Sequence, residues 1–157
     1  MKITLDWLKE NGACQDGQEW FVNQTETDSL KVLENLIKEK QLDWANWTIC
    51  RLFNREQKIQ YAVFAARQVL SIFEKKYPDD NQPRLAIEAA EKCIIDKSNA
   101  TANAAAAYAA ANAAAAYAAA NAAADAAAYA ANAAADAKEK MKIKILRYGI
   151  SLLRGDK

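Results

Sequence analysis

The chain has 157 residues, 52% of them hydrophobic, and a formal net charge of +1. That length supports one core, and the charge balance by itself favours neither a nucleic-acid nor a membrane partner. With no histidine, three scattered cysteines and only four glycines, the sequence lacks the commonest general base and metal ligand and cannot form a glycine-rich phosphate loop.

Leu5 to Lys9 reads as a short opening helix stopped near Asn11-Gly12, and Gly17 to Asn23 as a second short helical turn carrying Trp20, Phe21 and Val22. A clearer helix starts over Thr25–Asp28, with Leu30, Leu33, Leu36 and Ile37 on its apolar face. Asp43 is placed to cap the next helix, which carries Trp44, Trp47, Ile49 and Leu52. Asn54, with Gln57 three residues on, has capping-box spacing. It opens the strongest core helix, on which Ile59, Val63, Ala66, Leu70 and Phe73 repeat along one side.

Tyr77-Pro78 ends that helix, because proline disfavours helical backbone in the residue before it. Asp79, Asp80 and Asn81 form a turn, and Pro83 opens a helix through Ala86, Ile87, Ala90 and Ile94. Adjacent carboxylates in such a turn are read as capping groups rather than catalytic ones. A cysteine nucleophile would need a base such as histidine, and none is present.

From Ala100 to Ala137, 28 of 38 residues are alanine, and the exceptions are regularly placed. Asn103–Ala111 reads NAAAAYAAA and repeats over Asn112–Ala120. The period then becomes eleven, with Asn121 and Asp125 recurring as Asn132 and Asp136. At about 100° per residue an eleven-residue step keeps one face, whereas a nine-residue step turns about 180°. A single rod over 99–148 would also run about 75 Å. The expectation is two close-packed alanine-rich helices with a break between Ala109 and Ala120. Tyr108, Tyr117 and Tyr129 would then fill gaps or, with Asn112 and Asn121, line a ligand or self-association face. Asp125 and Asp136 are the only charges of the tract, and so uncharged a surface predicts a homo-oligomer. With a single Thr, at 101, the tract lacks the threonine stripe of an ice-binding helix.

Met141, Ile145, Tyr148 and Leu152 make a closing apolar stripe, with Gly149 as a kink. Charge is unevenly placed: residues 1–50 carry five basic and nine acidic side chains, 138–157 seven and two. The basic end suits the negative pole of a helix dipole. The expected architecture is all-α, a multi-helix bundle in one domain over 1–157, with amphipathic helices over 1–98 and the alanine-rich segment and basic helix over 99–154. Dispersed cysteines and the absence of a signal peptide or a strongly apolar run of membrane length predict a soluble cytoplasmic protein without metal or cofactor.

The strings LDWANW (Leu42–Trp47), YAVFAARQVLSIFEKKYPDD (Tyr61–Asp80) and RLAIEAAEKC (Arg84–Cys93) resemble a family of bacterial and bacteriophage immunity proteins. So do NGAC (Asn11–Cys14), the alanine and tyrosine tract, and KIKILRYGISLL (Lys142–Leu153). The resemblance implies a small, non-enzymatic inhibitor that neutralises a toxin or host defence protein by binding it, and it transfers no residue role. By residue type, the partner-binding candidates are Trp44, Trp47 or Arg51 on one helix, or Tyr77, Asp79, Asp80 and Arg84 around the Pro78 turn. The two tryptophans also suit core packing. An alternative is a helical module sequestering a small nucleotide signal, with Asn112, Tyr117 and Asn121 lining the pocket and Arg51 or Arg67 meeting phosphates. Nucleic-acid binding through Lys138, Lys140, Lys142, Lys144 and Arg147 is disfavoured, because no reading motif accompanies them.

Overall fold

The computed structural model describes residues 1–95 and 133–155. Among them are seven helices and no strand: α1 (Leu5–Glu10), α2 (Gln15–Val22), α3 (Ser29–Lys38), α4 (Leu42–Leu52), α5 (Arg55–Lys76), α6 (Gln82–Ile95) and α7 (Ala133–Arg154). The expected all-α architecture is what forms. The break between two alanine-rich helices, the tyrosines Tyr108, Tyr117 and Tyr129, and Asn112 and Asn121 lie outside the described residues, as does the side chain of Cys93.

Local chemistry sets most helix ends. Thr4 caps α1, its hydroxyl accepting from the Trp7 amide at 3.1 Å. The helix stops at Asn11-Gly12, as the sequence indicates: the Gly12 amide donates to the Lys9 carbonyl and the Ala13 amide to the Leu8 carbonyl. This Schellman turn needs left-handed backbone, which Gly12 supplies at φ +74°. The same pair of bonds closes α3, from Lys40 to Ile37 and from Gln41 to Leu36, yet there the left-handed residue is Lys40 at φ +60°. Asp28 caps α3 through the amides of Leu30 and Lys31.

Asn54 and Gln57 form the complete capping box at the start of α5, with both reciprocal bonds present at 2.9 and 3.0 Å. Tyr77 ends α5, and Asp80 accepts from the Gln82 amide to start α6. α4, however, is capped by the backbone of Gln41 and not by Asp43. The turn out of Lys40 leads directly into Leu42, which is buried, so Asp43 falls inside the first turn. There its charge still meets the positive helix end. α2 likewise begins before Gly17, at Gln15, so that glycine lies within a helix.

One buried cluster runs through the N-terminal segment and the closing helix: Ile3, Leu8, Phe21, Val32, Leu33, Leu36, Leu42, Ala45, Ile49, Phe53, Tyr61, Leu146 and Ile150. Ile3 is held there by backbone pairing of the first residues with the segment before α3, Ile3 to Thr27 and Ser29 to Met1. A smaller cluster, Ile59 and Ala90 with Val63 and Ile94, joins α5 to α6.

α7 packs against α3, α4 and α5. With neighbours on more than one side it buries a broader face than the single stripe read from the sequence. Leu146 and Ile150 are buried, while Met141, Ile145, Tyr148 and Leu152 are half-buried beside them. Tyr148 stacks on Phe64 with ring centroids 3.9 Å apart. α7 passes through Gly149 unbroken. A Cβ there would lie 2.9 Å from the Tyr61 ring and 3.1 and 3.2 Å from Ile49. The glycine is therefore what lets α7 approach α4 and α5 so closely.

Candidate partner-binding site

All four tryptophans fall within the first 47 residues, and the fold gathers them in two pairs on the α1–α4 side. Trp7 meets Trp47 edge-on at 6.1 Å between centroids, and Trp20 meets Trp44 at 6.5 Å. Each is half-buried against the main core, so Trp44 and Trp47 pack and present surface at once. The indole N–H of Trp20 donates to Glu39 at 2.7 Å. The guanidinium of Arg51 lies 4.8 Å above the Trp47 ring and donates to the Asn11 carbonyl at 3.4 Å. Trp44, Trp47 and Arg51 thus share one face of α4, at the spacing expected of successive turns.

Beside them is a cleft of about 290 Å³ whose walls include Cys14, Gly17, Trp20, Phe21, Trp44 and Trp47. By sequence alone Trp20 is only a helix residue and Cys14 only a free thiol. Clustering of every tryptophan in the first third of the chain was the signal available. Cys14 is exposed at the start of α2, while the Cys50 thiol is pushed up by burial, which disfavours its thiolate. Among the described residues no group of three or more His, Cys, Asp or Glu is placed to hold a metal, and no helix is long and apolar enough to cross a membrane.

The second set of candidates sits elsewhere. α5 has 22 residues, about 33 Å, and Tyr77 lies at the end remote from α4. Tyr77 is 47% exposed, against Phe73 and Lys76, and Leu85 nearby in sequence is 49% exposed. Arg84 is held by both oxygens of Glu74, at 2.9 Å each, and Asp80 is occupied in capping α6. Asp79 is exposed in the turn. The structure therefore divides the seven residues between two places and does not bring them into one site.

Arg67, considered for phosphates, is engaged by Glu91 through a bidentate pair at 2.8 and 2.7 Å. That hydrogen bonding lowers the Glu91 pKa and raises that of Arg67. On α7, Lys142 pairs with Asp43 at 2.9 Å, while Lys140, Lys144 and Arg147 are exposed along it.

A family model described as Imm-5 like putative immunity protein matches residues 48–154, just over two thirds of the chain. The chain belongs to that family. The match takes in the second half of α4 and all of α5, α6 and α7, with Arg51 and the whole Pro78 turn. Membership in the Imm-5 like family assigns an immunity-type role and implies a protein partner. A second model, described as YdhT N-terminal domain, matches residues 1–56 and so covers α1 to α4. No curated protein and no solved structure matches the chain.

Proposed function

We propose that this member of the Imm-5 like family is a non-enzymatic inhibitor that neutralises a toxin or a host defence protein by direct binding in the cytoplasm. The observation that carries this reading is the family match over residues 48–154. The α4 face supports it: aromatic residues and arginine concentrate binding energy at interfaces, and Trp44, Trp47 and Arg51 stand together there, half-buried or exposed. A contact surface built on a packed helix loses little entropy on binding, because its rings are already held. The α5–α6 tip, with Tyr77, Asp79, Asp80 and Arg84, is a second contact on a large partner. We read 1–157 as one helical unit, and the alanine tract, with Tyr108, Tyr117 and Tyr129, as its self-association surface.

Co-expression with toxins of competing strains, scored by growth, tests this. Rescue from one toxin is expected, and it should fail in a Trp47→Ala/Arg51→Glu double variant whose circular dichroism matches wild type. Full rescue by the double variant would contradict the assigned face, and the absence of rescue from every toxin would contradict the function.

A further inference from the structure

The cleft beside α4 has a size and a charge setting that specify its occupant. At about 290 Å³ it lies at the bottom of the range for small-molecule sites, about 300–1,000 Å³. That volume suits one large side chain better than a cofactor. Its walls are mainly apolar, formed by Trp20, Phe21, Trp44 and Trp47, with Gly17 and Cys14 at α2 leaving one side low. The surroundings are acidic. Of the helices that wall it, α1 and α2 carry Asp6, Glu10, Asp16 and Glu19 against the single cation Lys9, and α3, which adds Val32 and Leu36 to the lining, carries Lys31 and Lys38 against Glu34. Glu39 sits on the Trp20 indole, and Asp43 belongs to the wall itself. Arg51, which lies over Trp47, and Lys142, which pairs with Asp43, are the cations these contacts bring alongside.

An apolar hole in an acidic field selects a partner segment with the opposite charge and one bulky apolar group. We propose that this cleft receives a single large apolar side chain, presented by the protein partner between lysines or arginines. This deepens the α4 reading above and rests on it. The aromatic walls give the anchored side chain its contact area, and the carboxylates of α1 and α2 steer the flanking cations.

The test uses the full chain, labelled with ¹⁵N, and two synthetic peptides: one tryptophan flanked on each side by two lysines, and the same with glutamates. The indole N–H signals of Trp20, Trp44 and Trp47 are followed. The lysine peptide should shift them saturably, at least tenfold more tightly than the glutamate peptide, and the difference should shrink at high salt. Gly17→Leu should weaken the lysine peptide at least tenfold without lowering the melting temperature, since it fills the lip and replaces a helical glycine. If that variant fails to fold, Asp16→Lys/Glu19→Lys should bring the two affinities together. No saturation by about 1 mM, equal affinities in wild type, unchanged binding in Gly17→Leu, or shifts that grow with protein concentration without peptide would each overturn the proposal. The last would assign the cleft to a second copy. Growth rescue without peptide binding would sink the cleft and leave the inhibitor standing; peptide binding without rescue would do the reverse.

Discussion

Gly149 fixes how closely three helices meet. Its missing side chain leaves room for the Tyr61 ring and for Ile49, and Tyr61 in turn donates its hydroxyl to Asn46 at 2.7 Å. In an open helix, replacing glycine by alanine gains about 1 kcal/mol in propensity. At Gly149 the new methyl would sit 2.9 Å from a buried ring, and overpacking of that kind costs about 1–3 kcal/mol. Gly149→Ala should therefore destabilise the protein, while Gly17→Ala, whose Cβ meets only the Cys14 sulfur at 3.4 Å, should leave it unchanged or stabilise it. Urea melts of the pair decide; equal stabilisation by both would show that α7 is free to shift away. The sequence marks Gly149 as unusual for a helix, but a lone glycine signals a kink as readily as a close approach. The contact is made with residues about 90 and 100 positions away, which no local pattern encodes.

At the scale of elements, α5 and α6 form a hairpin whose own core is small: Ile59 and Ala90, with Val63 and Ile94 beside them. Two bidentate arginine pairs cross-link it, Arg67 with Glu91 and Arg84 with Glu74. Glu91 is held below its ordinary value of 4.5 chiefly by the hydrogen bond from Arg67. A carboxylate with a lowered folded pKa contributes stability above its unfolded value and loses it as pH falls through the folded one. The pair is largely exposed, so the contribution should be below about 1 kcal/mol and shrink with salt. Protection of α6 amides, measured relative to their intrinsic exchange rates, should fall as pH drops below about 4.5, and Glu91→Gln should abolish the share of that loss due to the pair. An unchanged pH profile in the variant would remove Glu91 from the account. The hairpin was legible in outline, because Asn54, Gln57 and Pro78 act on their immediate neighbours. Its arginine pairs were not: by sequence Arg67 is a candidate phosphate contact and Arg84 a candidate partner contact, and their carboxylates appear only when α6 folds back along α5. Asp43 shows the same limit in the other direction, since a good capping residue lost its place to the turn preceding it.

Across the whole molecule, residues matched by two different family models share one buried cluster. Leu8, Phe21 and Leu33, matched by the YdhT N-terminal model, join Tyr61, Leu146 and Ile150, matched by the Imm-5 like model. Helical periodicity and the absence of alternating strand patterns were enough to read the fold class. The candidate site was only partly readable. Trp44, Trp47 and Arg51 lie within two turns of one helix, so residue type and spacing found them together. The cleft beside them is assembled from four helices and the turn after α1, and its existence depends on tertiary packing alone. The Pro78 turn is a separate candidate, because the 22 residues of α5 carry it away from α4.

Inhibition by binding is decided by titrating toxin activity with the purified chain. Residual activity should fall linearly to zero at a fixed stoichiometric ratio whatever the incubation time, and the neutralised toxin should keep its intact mass after release by denaturant. Complete neutralisation by a small fraction of an equivalent, progressing with time, or a toxin of altered mass would contradict it.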